Sequence, residues 1–255
     1  MPEITIGSRT FSSKSKAVEF VKGILNSYGP RPGEELDLSG DDFLVMMSVF
    51  GMHADFNRKF PRGLDGIERI FVMRDSKYGG RTNQFWYQYD GVKDDISFYR
   101  CFESRDSYLR NRAVSAFREA VMPQIQSFKR LHLDDDGTGV CALSGIRFQA
   151  DDLAVDHMRP FSLLLSEFML ERRPGMSLGT APVTHVSGEA GHGSRLSDDA
   201  LEHEWYEWHG SNAVLQLVNK VLNMRLQDYD KSSDYARRTI EAFKSEIEQK
   251  QIIHE

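Results

Sequence analysis

The fold of the second half of this 255-residue chain depends on the stretch Leu153-Ala154-Val155-Asp156-His157. Three apolar residues in a row, one of them β-branched, favour a short buried strand. The strand would end on an acidic residue followed by a histidine. Consecutive side chains on a strand point to opposite faces, so we expect Asp156 and His157 to face in different directions.

This pair has the residue types that hydrolysis of a phosphodiester requires. The reaction needs an activated water, a cation at the scissile phosphate and correct alignment of both. His157 suits the role of general base because a neutral imidazole titrates near pH 7. Asp156 suits a hard cation such as Mg²⁺ or Mn²⁺, since both prefer oxygen ligands. The pair therefore predicts a metal-dependent phosphodiesterase site, with a merely structural histidine as the alternative.

Two further segments extend the pattern on either side of this pair. Cys141-Ala142-Leu143-Ser144-Gly145 precedes it, and residues 212–223 follow it as Asn-Ala-Val-Leu-Gln-Leu-Val-Asn-Lys-Val-Leu-Asn. Together the three segments resemble the HNH, or ββα-metal, nuclease domain over about residues 140–226. The resemblance implies a cysteine-containing hairpin, a catalytic strand, and a second strand that continues into a helix. Relatives with a zinc ribbon carry a second cysteine pair; it is missing here, so we expect packing to replace it.

The resemblance also implies a role for individual side chains. Asp156 and Asn223 would bind the metal ion, and His157 would be the general base. A middle residue would orient that base through its ring proton. Asn212 matches this middle position best, with His209 close by in the sequence.

Two of these assignments have alternatives. The eleven residues from Asn212 to Asn223 exceed the usual interval between the middle residue and the last ligand. Asn219 lies one helical turn before Asn223 on the same face, so it is an alternative metal ligand. His209 is alternatively a metal ligand, a phosphate contact or a structural residue beside Trp208.

The first hundred residues predict a small α+β unit. Ser12 or Ser13 can cap a helix that follows, and a second helix is expected after Ser39. Strands are predicted at 67–73, 84–89 and 95–102, with a turn at Asp90-Gly91 between the last two.

The same region resembles the domain named for the plant defective-chloroplasts-and-leaves (DCL) family, over about residues 9–103. The matching pieces are Phe11-Ser12-Ser13-Lys14, Leu38-Ser39-Gly40-Asp41-Asp42-Phe43, His53, Lys59-Phe60-Pro61-Arg62-Gly63-Leu64-Asp65-Gly66-Ile67 and Phe85-Trp86-Tyr87. The family is linked to nucleic-acid metabolism, and bacterial versions occur fused to nucleases. The resemblance therefore implies a recognition domain.

Several side chains are candidates for contact with nucleic acid. The aromatic cluster at 85–99 alternates along a strand, which is typical of a core, but its outward half, including Trp86, could stack on a flipped base. Arg62 and Arg81 are expected in loops, and Arg159 follows the Asp-His pair. Each could bind a phosphate or simply be a solvated surface residue.

Residues 105–133 connect the two resemblances and predict a helix that Pro123 kinks or divides. The segment holds six basic and two acidic residues, whereas residues 134–229 hold seven basic and fifteen acidic ones. The helix could lie across a DNA backbone or pack the domains together. Residues 174–199 are expected to form an inserted loop, and about 232–252 a last helix. The predicted α+β architecture is a recognition domain at 1–104, a linking helix at 105–133 and a nuclease domain at 134–255.

Composition excludes several classes of protein. The chain is 40% hydrophobic and 27% charged, with a net charge of −6, which is typical of a globular protein without strong non-specific DNA affinity. Two cysteines in unrelated contexts argue against a disulfide framework and exclude a four-cysteine zinc site. We expect no membrane span and no secretory signal, and hence the cytoplasm.

These observations predict a metal-dependent endonuclease that acts on double-stranded DNA. A small reader fused to a nuclease suits a restriction enzyme, and such an enzyme could depend on a modified base such as 5-methylcytosine. Cleavage of both strands requires two active sites, so a homodimer is expected. The alternatives are a non-catalytic DCL-like nucleic-acid-binding protein and a phage or mobile-element nicking enzyme.

Overall fold

A computed structural model describes residues 3–74, 82–186, 193–226 and 231–252, without the side chains of 250–252. Its contacts divide the chain into two compact units, Met1–Leu109 and Arg110–Glu255. Both units combine helices with antiparallel strands, which confirms the α+β class. Among the described residues, no helix has the length and apolar character needed to cross a bilayer.

The N-terminal unit is built on a four-stranded antiparallel sheet of order β3-β4-β5-β6. Its elements are β1 (Ile4–Ile6), β2 (Arg9–Phe11), α1 (Lys14–Ser27), β3 (Leu36–Asp37), α2 (Gly40–Gly51), α3 (Phe56–Lys59), β4 (Ile67–Arg74), β5 (Asn83–Tyr89), β6 (Val92–Ile96) and α4 (Phe98–Cys101). Ser13 caps α1 by accepting a hydrogen bond from the amide of Lys16, as the sequence indicated.

Alternate residues of β5 form the core of this unit. Phe85, Tyr87 and Tyr89 are buried, and the ring of Phe60 packs against both tyrosines. The expected burial of this half of the aromatic cluster is therefore confirmed.

The strand predicted at 95–102 is wrong in its position. Asp90 and Gly91 both have positive φ, 51° and 76°, and form the two-residue turn that joins β5 to β6. The turn makes β6 begin at Val92, directly opposite Tyr89, so the strand is complete at Ile96. The aromatic residues Phe98 and Tyr99 lie instead in the short helix α4.

The C-terminal unit alternates helices with two-stranded ribbons. Its elements are α5 (Arg105–Ala120), which contains the division between the units, then α6 (Met122–Leu131), β7 (Thr138–Val140), β8 (Arg147–Gln149), β9 (Leu153–His157), α7 (Phe161–Arg172), β10 (Val183–Val186), β11 (Gly193–Leu196), α8 (Asp199–Asn212), β12 (Leu215–Asn219), α9 (Lys220–Leu226) and α10 (Asp234–Ile252).

Pro123 divides the predicted linking helix into α5 and α6, because proline is tolerated in the first turn of a helix but not in its interior. The second half is more than a linker. The ammonium of Lys129 donates to the backbone oxygens of Ala150 and Leu153, at 2.7 and 2.8 Å. These bonds hold α6 against the start of β9.

Strands β9 and β12 pair in antiparallel register, with His157 opposite Leu215 and Asp156 opposite Gln216. β12 continues directly into α9. One apolar cluster around Trp205 and Phe168 packs beside this pair, and a second contains Leu153, Leu217 and the buried Cys141. The second cluster includes buried residues of both strands and so forms the core of this strand pair.

Residues 174–199 contain more structure than the inserted loop predicted for them. The ribbon β10–β11 pairs Thr184 with Arg195, and a 3₁₀ turn at Leu178–Thr180 precedes it. Ser194 and Leu196 are buried on this ribbon, whereas Arg195 between them is exposed. Burial of alternate residues explains why a glycine- and serine-rich segment forms strands here.

Candidate active site

The last residue of β9 meets a buried histidine of α8. The Nε2 atoms of His157 and His209 are 2.9 Å apart, and the two rings lie nearly perpendicular. His209 is fully buried, and its ring packs against Trp205. His157 is half-buried and contacts Phe161. The structure thus places a buried partner behind the predicted base.

A glutamine from α6 determines which nitrogen of each histidine carries a proton. The Gln124 side-chain nitrogen donates to the backbone oxygen of Tyr206 at 2.7 Å, which leaves the Gln124 carbonyl oxygen facing His209. That oxygen lies 2.6 Å from Nδ1 of His209, so Nδ1 must donate. Nε2 of neutral His209 is then an acceptor, and Nε2 of His157 donates to it. Nδ1 of His157 is therefore left as the basic nitrogen.

Both histidines are held in the neutral form. Burial lowers the pKa of His157, the cation of Arg118 lowers it further, and the neighbouring Asp156 opposes the change. Burial and the proximity of His157 lower the pKa of His209 to about 4. Near pH 7 each imidazole is therefore neutral, with one protonated and one unprotonated ring nitrogen.

Asp156 points to the other face of β9, as the alternation of side chains predicted. Its Oδ2 accepts a hydrogen bond from Nε2 of Gln216, 2.9 Å away on the neighbouring strand. The ammonium of Lys231 contacts the same oxygen and lies 3.2 Å from Oδ1 of Asn223. Strand β9 and helix α9 therefore bring the carboxylate of Asp156 and the amide oxygen of Asn223 to one cation.

The oxygen atoms of Asp156 and Asn223 that surround the Lys231 ammonium are suitable ligands for a hard divalent ion. A carboxylate and an amide oxygen already converge on a positive charge, and both are ligands that Mg²⁺ and Mn²⁺ accept. Within the ranges that the structure describes, no group of three or more His, Cys, Asp or Glu side chains is arranged to hold a metal ion. A cation between Asp156 and Asn223 would have two protein ligands, and magnesium commonly completes its shell with water and substrate oxygens.

The two other asparagines considered have different partners. Oδ1 of Asn219 accepts from the amides of Val221 and Leu222, at 2.9 and 3.2 Å, and so caps the start of α9. Asn212 lies at the exposed end of α8, and its side-chain nitrogen donates to the backbone oxygen of Trp208 at 2.8 Å. His209, rather than Asn212, is the residue that the structure brings to His157.

Replacing Asn219 with alanine is expected to destabilise the protein by about 1 kcal/mol, because the first amides of α9 lose their acceptor. Asn219→Ser should retain most of that stability, since serine also caps helices. Urea unfolding measures the free energy of unfolding of both variants and, for comparison, that of Asn223→Ala. A loss of Mg²⁺ affinity in Asn219→Ser with unchanged stability would instead make Asn219 a ligand.

The predicted nucleic-acid contacts lie in both units. In the C-terminal unit, Arg159 is exposed after β9 and forms an ion pair with Glu167. In the N-terminal unit, Arg62 is exposed and pairs with Asp90 at the tip of the β5–β6 turn. Trp86 is half-buried and stacks on Phe71, away from the core. Arg81 lies outside the described residues.

Three residues near the site were not indicated by the sequence. Gln124 and Lys231 come from segments far from the Asp-His pair, and no local motif marks either. Arg118 is exposed on α5 with its guanidinium 5.0 Å from the ring centre of Phe161. The excess of basic residues in 105–133 was the one signal that pointed towards Arg118.

Comparison with known proteins adds little to this geometry. No family model matches the chain, and no curated protein matches it. The chain is similar to an uncharacterized protein from Rhodospirillum rubrum whose structure was determined by solution NMR. The identity is 24% over 40% of this chain and 88% of that chain, with a TM-score of 0.33. A likeness at this level carries no conclusion about function.

Proposed function

We propose that this chain is a metal-dependent DNA endonuclease of the ββα-metal (HNH) type. One observation carries the proposal. At the end of β9, the carboxylate of Asp156 and the amide oxygen of Asn223 both contact the ammonium of Lys231. The adjacent His157 is oriented by the hydrogen bond from its Nε2 to His209. A metal position and an oriented base at the end of one strand are the parts that hydrolysis of a phosphodiester requires.

The surroundings of Cys141 support this assignment. In the HNH domains that the sequence resembles, a zinc ribbon can hold the hairpin against the last helix. Here the thiol of Cys141 accepts a hydrogen bond from the amide of Asn219 at 3.2 Å, and Leu222 is fully buried in the same cluster. Ser144 is buried, and its Oγ accepts from the amide of Ile146 at 3.3 Å. Packing and hydrogen bonds thus join the hairpin, β12 and α9.

The mechanism follows from the hydrogen bonds of His157. Its Nδ1 removes a proton from a water molecule, and the resulting hydroxide attacks phosphorus. Nε2 then donates a stronger hydrogen bond to neutral His209, while Asp156 nearby stabilises the positive charge on His157. A divalent ion bound by Asp156 and Asn223 would stabilise charge on the phosphate and the departing 3′ oxygen. The bond between phosphorus and the 3′ oxygen breaks, and that oxygen takes a proton from solvent water. The products are a 5′-phosphate and a 3′-hydroxyl.

The proposed substrate is double-stranded DNA. The N-terminal unit is the proposed reader, and 5-methylcytosine is the modified base to test first. A reader joined to a nuclease makes a restriction enzyme the best description. Since one active site cuts one strand, cleavage of both strands requires a homodimer. Size-exclusion chromatography with light scattering tests that state directly.

Plasmid cleavage tests the proposal. Supercoiled plasmid, with and without 5-methylcytosine, is incubated with the protein in MgCl₂, in MnCl₂ and in EDTA. We expect linear product that depends on the metal ion. Nicked product alone would instead support a monomeric nicking enzyme, and intact plasmid under every condition would leave a non-catalytic binding protein.

Gln124→Leu is expected to lower the cleavage rate by roughly 10- to 100-fold, the usual cost of removing a residue that orients a catalytic group. Without the acceptor, His209 can place its proton on Nε2 and compete with the donor of His157. Histidine ¹⁵N chemical shifts report that change of tautomer independently of activity. Gln126→Leu, at an exposed position of the same helix, is the matched control. Unchanged shifts and an unchanged rate in Gln124→Leu would contradict the proton assignment.

A further inference from the structure

The N-terminal unit contains a cleft of about 820 Å³ at one end of its sheet. Helix α1, the facing ends of β4 and β5, and the start of α4 form its walls. Apolar side chains line its deepest part, namely Leu25, Phe85, Ile96 and Phe98. An apolar cleft of this size with a few polar groups is typical of a small-molecule or nucleotide site.

Tyr99 offers an aromatic surface to this cleft. Its ring stacks on that of Phe98, with 4.2 Å between ring centres and 29° between planes. Phe98 is held in turn by edge contact with the buried Phe85. Tyr99 is nevertheless 48% exposed. Because one face of the tyrosine rests on Phe98, the opposite face is available to a planar ligand.

Two basic side chains of the cleft, Arg74 and Lys22, suit a phosphorylated ligand; one acidic residue, Asp95, also lines the cleft. The Nε of Arg74 is buried there and has no hydrogen-bond partner among the residues that the structure describes. Buried donors of this kind are seldom left unpaired. Lys22 lines the rim and is exposed. The side-chain nitrogen of Asn83 donates to the backbone oxygen of Tyr28 at 2.7 Å. This hydrogen bond uses the amide nitrogen of Asn83 and does not involve its amide oxygen.

We propose that this cleft binds one unstacked nucleobase of DNA together with its phosphate. The base would stack on Tyr99, and Arg74 and Lys22 would contact the phosphate. Aromatic stacking with adjacent cations is the usual way in which proteins hold single nucleotides of a strand. The choice of DNA over RNA rests on the proposed nuclease function.

The proposal moves the stacking role from Trp86 to Tyr99. Trp86 lies on the opposite side of β5 from the core residues Phe85 and Tyr87, and Phe71 covers one face of its indole. The cleft is lined by Tyr99 and not by Trp86. A base that enters the cleft can therefore stack on the exposed face of Tyr99, and not on the indole of Trp86.

Fluorescence anisotropy with single-stranded DNA tests this proposal, because its bases are already unstacked. The full chain carrying His157→Ala is titrated, in EDTA, into a 5′-fluorescein-labelled 12-mer of thymidine. Tyr99→Ala is expected to raise the Kd about tenfold, the effect of losing one stacked base. Tyr99→Phe should stay within about twofold, and Arg74→Gln should weaken binding whereas the exposed Arg31→Gln should not.

An abasic 12-mer separates stacking from attraction to phosphate. We expect the His157→Ala chain to bind the abasic 12-mer as weakly as its Tyr99→Ala variant binds the thymidine 12-mer. The Tyr99→Ala variant should bind the two 12-mers equally. A 12-mer of RNA is the third ligand. The proposal would be overturned if the His157→Ala chain bound the thymidine and abasic 12-mers equally, bound neither measurably, or bound the RNA 12-mer more tightly than the thymidine 12-mer. Plasmid cleavage by the unmodified chain is read separately, so failure of the cleft and failure of the nuclease are distinguishable.

Discussion

Replacing His157 with alanine is expected to lower the rate of DNA cleavage by roughly 10²- to 10⁴-fold, the contribution typical of a general base. The structure gives the reason. Nδ1 of His157 is the basic nitrogen because Nε2 donates to His209, whose own proton faces Gln124. Single-turnover cleavage of plasmid at saturating Mg²⁺ measures the loss.

The matched control is His203→Ala, since His203 is exposed on α8 in the same unit. It should leave the rate unchanged, and a melting curve should show that His157→Ala is folded. If His157→Ala cleaved within threefold of the unmodified chain, His157 would not be the base.

The pH dependence of cleavage gives a second measure of the same residue. Burial lowers the pKa of His157 below 6.5. His157 is therefore neutral at pH values above its pKa, and it becomes protonated and stops acting as a base only as the pH falls through that pKa. The rate should therefore change little near pH 8, and its decline in acidic buffer should be centred below pH 6.5. An acid limb centred above pH 7 would contradict the burial of this histidine.

Replacing Asp156 with alanine is expected to lower cleavage about 100-fold or more at 1 mM Mg²⁺, because a bound metal ion contributes several kcal/mol to the transition state. The variant leaves Asn223 as a single neutral ligand. Calorimetric titration of the folded protein with MgCl₂ provides a measurement that does not depend on activity. Binding that is detectable in the unmodified chain should disappear in Asp156→Ala.

Lys231→Met is the informative comparison. It removes the ammonium that bridges Asp156 and Asn223 but keeps both oxygen atoms. Mg²⁺ should then bind at least as tightly, because the ion no longer displaces a lysine. Weaker Mg²⁺ binding in Lys231→Met, or unchanged binding in Asp156→Ala, would argue against a metal ion between these two oxygens.

Local signals predicted most of the N-terminal unit. A capping serine at Ser13 and a turn at Asp90-Gly91 act within a few residues, so they can be identified without tertiary contacts. The strand at 95–102 was misplaced because aromatic residues favour both strands and buried helices. The register of the turn, and not the composition after it, decided where β6 ends.

The sequence by itself determined the Asp156-His157 pair and its alternation on a strand, because both depend only on neighbouring residues. The resemblance to HNH domains also indicated Asn223, whereas helical spacing alone left Asn219 as an alternative. Only the tertiary structure decided the choice of His209 over Asn212, the capping role of Asn219, and the parts taken by Gln124 and Lys231. These residues reach the site through the packing of α6, α8 and the segment before α10 around β9. Contacts between elements so far apart in the chain are set by how their apolar faces pack together, which no local pattern encodes.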